Sequence, residues 1–288
     1  MENSGDSSNP ELQAKETVEI APEAVAAQTS EEASSEPLIG FSHVYLSFGD
    51  KAVLEDVSFS LDRGRTLCIL GRSGVGKSVT LRLLMGFLKP DSGSIRFGGQ
   101  EIAGLDEAGL QEIRKRITMV FQNGALFDSL SVRENVAFPL RERGGLAEDQ
   151  VQLLVDRLIG MVGAEDVSDL FPASLSTGRK RAVAMARALA AQPEVVLYDE
   201  PTTMVDPIIG RRLGDLIQRL KRQLGFTSIV VTHDMRFAKR LADTVLFLDQ
   251  GIASYFGPLA GFLQSQDEHI RQFLELDEYV LPLHEASY

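Results

Sequence analysis

An α/β domain with a largely parallel sheet is what this 288-residue sequence predicts. Two observations carry that reading. Short apolar, β-rich runs recur along the chain without the inside–outside alternation of a half-exposed strand, as strands covered on both faces require. Between them lie helical patterns with apolar residues at i, i+3 and i+4 spacing. Elements that alternate in this way pack as helices on the faces of one sheet. No internal repeat is visible, so the chain carries one copy of that domain.

In chain order, residues 1–37 come first, rich in Glu, Ser, Ala and Pro and without an aromatic. Such a segment cannot bury enough apolar surface to offset its ordering entropy, and it is expected to be a disordered acidic leader. It is either a solvated tail or an acidic docking segment. The strand runs are Thr66–Leu70, Ile117–Phe121, Val195–Tyr198, Ser228–Thr232 and Thr244–Asp249. The helical patterns are Val151, Leu154, Val155, Leu158, Ile159 and Val162, and then Leu213, Leu216, Ile217, Leu220 and Leu224. Ser265-Gln-Asp-Glu268 has the spacing of a capping box and precedes Ile270, Phe273 and Leu274 on one helical face. In the tail that follows, Tyr279, Val280, Leu281 and Leu283 surround Pro282, an apolar peptide expected to dock either on its own domain or on a partner subunit. The domain is expected to span 38–266, with 267–288 a C-terminal helix and tail.

The net charge of −12 is unevenly placed. Residues 1–37 hold nine acids against one lysine and residues 267–288 six against one arginine, which leaves the body between them at +1. A basic stripe of the kind that grips phosphate backbones is missing, so no nucleic-acid partner is expected. One cysteine, Cys68, cannot form an internal bridge, which favours a reducing compartment. No run approaches 18 consecutive apolar residues, and the N-terminus lacks the basic start and apolar core of a secretory signal.

The strongest motif is Gly71-Arg72-Ser73-Gly74-Val75-Gly76-Lys77-Ser78, which fits G-x-x-x-x-G-K-[ST] between an apolar strand and an apparent helix. Glycines let backbone N–H groups curl around phosphate oxygens, and the helix N-terminus adds partial positive charge. Lys77 would reach the β- and γ-phosphates and the Ser78 hydroxyl would ligate Mg²⁺, so a nucleoside-triphosphate site is expected. Val195–Tyr198 runs into Asp199-Glu200, two carboxylates at a strand end. Asp199 would hold Mg²⁺ through a water, and Glu200 would orient and polarise the attacking water. Strand ends are often acidic for solubility alone; the P-loop upstream gives this pair its meaning. Ser228–Thr232 leads into His233, placed at the carboxyl end of a parallel strand, where such sheets bind ligands, and suited to contact the γ-phosphate. Gln122, after Ile117–Phe121, can touch both metal and water. Leu175-Ser176-Thr177-Gly178-Arg179 is either a plain helix N-cap or an anion site that a second subunit presents across an interface.

Taken in order, the P-loop, Gln122, Leu-Ser-Thr-Gly-Arg, Asp199-Glu200, Pro201-Thr-Thr-Met-Val-Asp206 and His233 resemble the ATP-binding subunit of an ABC transporter, over about Leu38 to Leu274. The resemblance implies a P-loop ATPase fold whose mostly parallel core sheet is joined by an antiparallel β subdomain and a helical subdomain at about 123–190. It places Phe48 against adenine and Asp206 against the opposite subunit, and it makes Gln122 the Q-loop glutamine and His233 the switch histidine. ATP and Mg²⁺ are the implied cofactors. Two copies would sandwich two ATP, each held by one copy's P-loop and by Ser176, Thr177 and Gly178 of the other. Closer likeness lies in Phe121–Leu140, with its Gly-Ala-Leu-Phe and Asn-Val-Ala-Phe-Pro-Leu runs, and in Arg271-Gln-Phe-Leu274. These look like the Mla and MCE branch, which moves lipids across the bacterial envelope. That branch implies integral membrane permease subunits, an MCE-type substrate-binding protein, and a peripheral place on the cytoplasmic face of the inner membrane.

The sequence departs from the family where Thr177 replaces a glycine and where Met204 and Val205 precede Asp206. A Cβ at 177 stands where the backbone approaches phosphate freely in the family; Ser176 and Gly178 remain, so binding is expected to be kept, with slower hydrolysis as the alternative to an unchanged rate. Three rival classes are a soluble ABC protein acting on ribosomes or DNA, a non-hydrolysing nucleotide-binding regulator, and the ATPase of a small-molecule importer. The first carries paired domains or long coiled-coil insertions, and this chain has neither.

Overall fold

The computed structural model describes residues 36–122 and 124–278, with side chains placed as far as residue 275. The expected leader at 1–35 and the apolar tail from Tyr279 lie outside the described residues.

Two sheets organise the chain. Strands β1 (Ile39–Phe48), β2 (Lys51–Leu61), β4 (Ser92–Phe97) and β5 (Gln100–Glu101) form an antiparallel sheet in the order β2-β1-β4-β5. The larger sheet contains β3 (Thr66–Leu70), β6 (Ile117–Val120), β7 (Val195–Asp199), β8 (Thr227–Val231), β9 (Thr244–Asp249) and β10 (Ile252–Pro258), in the order β10-β9-β3-β8-β7-β6. Its first five strands in sequence run parallel, and β10 turns back against β9. Every residue of β3 and β8 is buried, which explains why these strands read as continuous apolar runs. The five predicted strands are all present. Boundaries move in three of them: β6 stops at Val120, leaving Phe121 exposed, β7 runs on to include Asp199, and β8 is shifted one residue back, from the expected Ser228–Thr232 to Thr227–Val231.

The predicted helices are also present. The 151–162 pattern becomes α4 (Glu148–Val162), with its six apolar residues buried. The 213–224 pattern becomes α6 (Pro207–Leu224), which buries Leu213, Ile217 and Leu220. Helices α3 (Val132–Arg143), α4 and α5 (Thr177–Ala190) pack on one another, and α5 also meets β6. Helix α1 (Lys77–Leu84) follows β3, and α2 (Glu107–Arg116) leads into β6. The mixed α/β architecture, with its antiparallel sheet and its helical layer, is the one expected from the resemblance.

The two sheets share a core that runs from Leu38, Phe41 and Phe59 to Leu67, Leu197 and Ile229. They also meet where β2 lies against the β9–β10 turn. There Glu55 N–H donates to the Gly251 carbonyl at 2.9 Å, and the Phe59 and Phe256 rings lie 6.4 Å apart. One cap differs from expectation. Helices α7 (Met235–Leu241) and α8 (Leu259–Leu263) precede α9 (Glu268–Glu278). At α9 the Asp267 carboxylate accepts from Ile270 N–H at 3.1 Å, while Ser265 Oγ accepts from Asp267 N–H. Ser265 therefore shapes the entry turn, and Asp267 is the cap. A carboxylate at the helix start outcompetes a hydroxyl there because it also meets the helix dipole.

Candidate nucleotide site

The loop between β3 and α1 owes its shape to two glycines at positive φ, a conformation that residues with a side chain rarely adopt. Gly71 has φ of 146°, and a Cβ there would lie 2.2 Å from the Leu248 carbonyl oxygen. Gly76 caps α1 in a left-handed conformation, with a would-be Cβ 2.7 Å from a Leu54 methyl. The loop so formed carries Lys77 at only 5% exposure, its Nζ donating to the carbonyls of Gly71 and Arg72 at 2.9 Å each.

Strand β7 delivers both carboxylates to that loop. Asp199 Oδ1 accepts from Ser78 Oγ at 2.7 Å. Burial raises the Asp199 carboxyl above its ordinary value, aided by the nearby Glu200 charge and opposed by the Ser78 bond. Glu200 sits one residue beyond, with φ of +48° and its N–H donating to the Val231 carbonyl at 2.9 Å. Its Oε1 lies 3.4 Å from Lys77 Nζ, and its Oε2 lies 2.9 Å from His233 Nδ1. Burial pushes this carboxyl up, but the His233 hydrogen bond and the His233 and Lys77 charges outweigh it and hold the group below its ordinary value. The hydrogen bond to Glu200 correspondingly raises His233. The result is a carboxylate favoured in its ionised form, between the Lys77 ammonium and the His233 ring at the mouth of the loop.

Phe48, half-exposed at the end of β1, and Gln122, two residues beyond β6, line the same cleft of about 690 Å³ as Gly74, Lys77, Ser78 and Glu200. Lys51, Gln250 and Gly251 also line it. These three carry no recognisable pattern of their own, and only the meeting of the two sheets brings them there. A further residue missed in the sequence is Asn135, fully buried on α3. Its Nδ2 donates to the carbonyls of Phe127, Leu130 and Ser131, and its Oδ1 accepts from Phe127 N–H at 2.8 Å. It braces the segment that follows Gln122. An Asn among the apolar positions Val132, Val136 and Leu140 was the available signal.

Ser176, Thr177, Gly178 and Asp206 are not part of this cleft. Ser176 caps α5, its Oγ accepting from Arg179 N–H at 3.4 Å, so the N-cap reading holds within the chain. Ser176 and Gly178 line a separate cavity of about 360 Å³ with Arg181, Arg212 and Leu216. Thr177 is exposed, and Asp206 caps α6 by accepting from Ile208 N–H at 2.8 Å. Met204, before Asp206, is 92% exposed with φ of +59°.

A match to the ABC transporter family covers residues 54–203, just over half of the chain. The chain belongs to the ABC transporter family. Its fold is that of the family's ATP-binding cassette. The methionine import ATP-binding protein MetN of Brucella abortus is 40% identical over 79% of this chain and 61% of its own length. The chain thus spans about three fifths of such methionine-import relatives. The intermembrane phospholipid transport system ATP-binding protein MlaF of Haemophilus influenzae is 38% identical, over 83% of this chain and 90% of its own. Among solved structures, the dimeric post-hydrolysis state of the ATP-binding cassette MJ0796, bound to ADP and Pi, superposes with a TM-score of 0.69 at 29% identity. It covers 77% of this chain and 98% of that one. Among the described residues no helix is long and apolar enough to cross a membrane.

Proposed function

We propose that this cassette hydrolyses ATP as one half of a homodimer and that the cycle drives lipid transport across the bacterial envelope through integral membrane subunits and an MCE-type substrate-binding protein. It would then sit peripherally on the cytoplasmic face of the inner membrane. The observation that carries the ATPase reading is the placement of Glu200, ionised and held between Lys77 and His233 beside the Asp199–Ser78 pair. In this reading Phe48 stacks on adenine, and the backbone N–H groups of the Gly71–Ser78 loop, Arg72, Ser73 and Val75 included, face the phosphates. Lys77 leaves the Gly71 and Arg72 carbonyls for phosphate oxygens. Glu200 takes a proton from the attacking water, while His233 fixes the carboxylate and meets the γ-phosphate.

Ser78, Asp199 and Gln122 offer hard oxygen donors, the chemistry that Mg²⁺ prefers. Among the described residues no group of three or more His, Cys, Asp or Glu side chains could hold a metal by itself. That suits an ion held largely by phosphate oxygens. Bound there, Mg²⁺ would neutralise charge developing on the phosphates.

The homodimer is supported by the dimeric MJ0796 cassette and by the position of Ser176–Gly178 and Asp206 away from their own chain's cleft. ATPase rates of the purified chain test both parts. Glu200→Gln is expected to lower kcat about 100-fold or more while ATP still binds. Ser176→Arg is expected to abolish turnover while leaving ATP binding to the single chain intact. Wild-type rates in either variant would refute the corresponding assignment.

For the cargo, the Gly-Ala-Leu-Phe and Asn-Val-Ala-Phe-Pro-Leu runs and the MlaF relative favour lipid. The 40% identity to MetN favours a small-molecule importer as the second reading. Purification of the complex from membranes, with mass spectrometry of its proteins and lipids, separates them. Co-purified phospholipid with an MCE-type protein supports the first, and a lipid-free complex with a soluble amino-acid receptor the second.

A further inference from the structure

Among the described residues, the buried side-chain polar atoms without a partner are Ser228 Oγ and two nitrogens of Arg181, Nε and Nη1. Arg181 is 5% exposed. A buried guanidinium with unmet donors is unfavourable for folding alone, where an apolar side chain would serve better. Its remaining nitrogen, Nη2, donates to the Thr203 carbonyl at 2.6 Å. Thr203 Oγ1 in turn donates to Glu200 Oε2 at 3.2 Å, and Thr203 N–H donates to the Glu200 carbonyl at 3.2 Å. A continuous run of hydrogen bonds therefore joins the second turn of α5 to the carboxylate at the mouth of the nucleotide loop. The segment it crosses is strained at both ends, at Glu200 and at Met204, whose φ values of +48° and +59° are unfavourable for residues with a side chain. Such a segment stays in place only while outside contacts hold it.

We propose that Thr203 is a positioning residue for Glu200, and that Arg181 transmits the position of α5 to that carboxylate. The proposal rests on the reading of Glu200 as the group that polarises water. Glu200 Oε2 receives two donors, His233 from one side and Thr203 from the other, and only the second is tied to α5. Helix α5 begins beside Ser176, the group assigned to the partner's nucleotide. Seating of Ser176 on that nucleotide would shift α5, and Arg181 would carry the shift through Thr203 to the Glu200 of its own chain. Occupancy of one site thereby sets the readiness of the other.

Steady-state ATPase kinetics of the full chain test this, with binding of a fluorescent ATP analogue and thermal melting measured in parallel. Thr203→Val, which removes the hydroxyl, is expected to lower kcat about tenfold, the worth of one hydrogen bond to a charged group, with KM and nucleotide affinity within about twofold. Thr203→Ser is expected to restore kcat. Wild-type turnover is expected to rise cooperatively with ATP, and Arg181→Met to lose both that cooperativity and a similar share of kcat. A Thr203→Val enzyme with wild-type kcat, or one whose loss falls on KM, overturns the positioning role. A hyperbolic wild-type curve, or cooperativity that survives Arg181→Met, overturns the relay. Glu200→Gln runs alongside: if it too turns over normally, the fault lies with the role given to Glu200 and not with Thr203. If Arg181→Met does not fold, the Thr203 pair still decides.

Discussion

The two polar loops that follow β3 and precede α5 differ in how far one chain completes them. Around Gly71–Ser78 the groups assigned to the chemistry are paired within the chain: Lys77 with two carbonyls and Glu200, Ser78 with Asp199, and Glu200 with His233. Around Ser176–Gly178 and Met204–Asp206 the caps are met, but the surface faces outward and carries an almost fully exposed Met204. Folding alone accounts for the first loop. On the proposed reading, the second is half of a site whose other half lies on a second copy.

If the first loop is complete within the chain, disturbing it should damage the isolated fold. Gly71→Ala should have the largest effect, because the new methyl meets a backbone carbonyl oxygen that cannot swing aside and φ of 146° is closed to alanine. A loss of about 3 kcal/mol in chemical denaturation is expected. Near-wild-type stability would show that the loop relaxes easily and is less internally fixed than its contacts imply. Asn135→Ala comes next. It removes four hydrogen bonds to backbone groups around the Phe127–Ser131 turn, and the groups left unpaired should cost about 2 kcal/mol. Because Asn135 braces the segment after Gln122, the same variant should also weaken ATP hydrolysis more than ATP binding.

This contrast also explains what could be read from the residues in advance. β3 and β8 were legible because both faces are buried, and α4 because its buried residues repeat with the helical period. The Gly71–Ser78 loop was legible because its backbone conformation demands glycine at fixed spacing. Lys51, Gln250 and Gly251 were not, since they reach the cleft through the packing of one sheet against the other. Arg181 was hidden for a different reason: its meaning lies in a single bond to a main-chain carbonyl, which leaves no trace in the identity of Thr203. The end of β6 was misplaced because Phe121 has strand propensity but no ladder partner, so an exposed aromatic was counted into the strand.

For the outward-facing loop the comparison makes an opposite forecast. Met204→Gly keeps the left-handed backbone but relieves its cost to a residue with a side chain, about 1–2 kcal/mol, against about 0.5–1 kcal/mol of extra chain entropy. The single chain buries almost nothing of Met204, so its melting temperature should hold or rise slightly, a net gain of at most about 1.5 kcal/mol. ATP-dependent dimer formation, read by analytical ultracentrifugation with Glu200→Gln present to stop turnover, should weaken. A variant that is less stable as a single chain would mean that Met204 belongs to its own fold.

The smallest effect concerns the Glu200–His233 pair, whose two shifts have opposite signs. Glu200 is lowered, so its contribution is present above the ordinary carboxylate range and fades as pH falls through the lowered value. His233 is raised, so its contribution is present below the ordinary imidazole value and fades as pH rises through the raised one. Both hold together between roughly pH 4.3 and 6.5. Because His233 is more than half exposed, solvent screening should keep the pair below about 1 kcal/mol. The stability difference between the wild type and His233→Ala should therefore peak in that window and shrink on either side of it. A difference that keeps growing above pH 7 would mean that the histidine supports the fold as a neutral ring, and that the Glu200 carboxylate is held in place chiefly by Lys77 and Thr203.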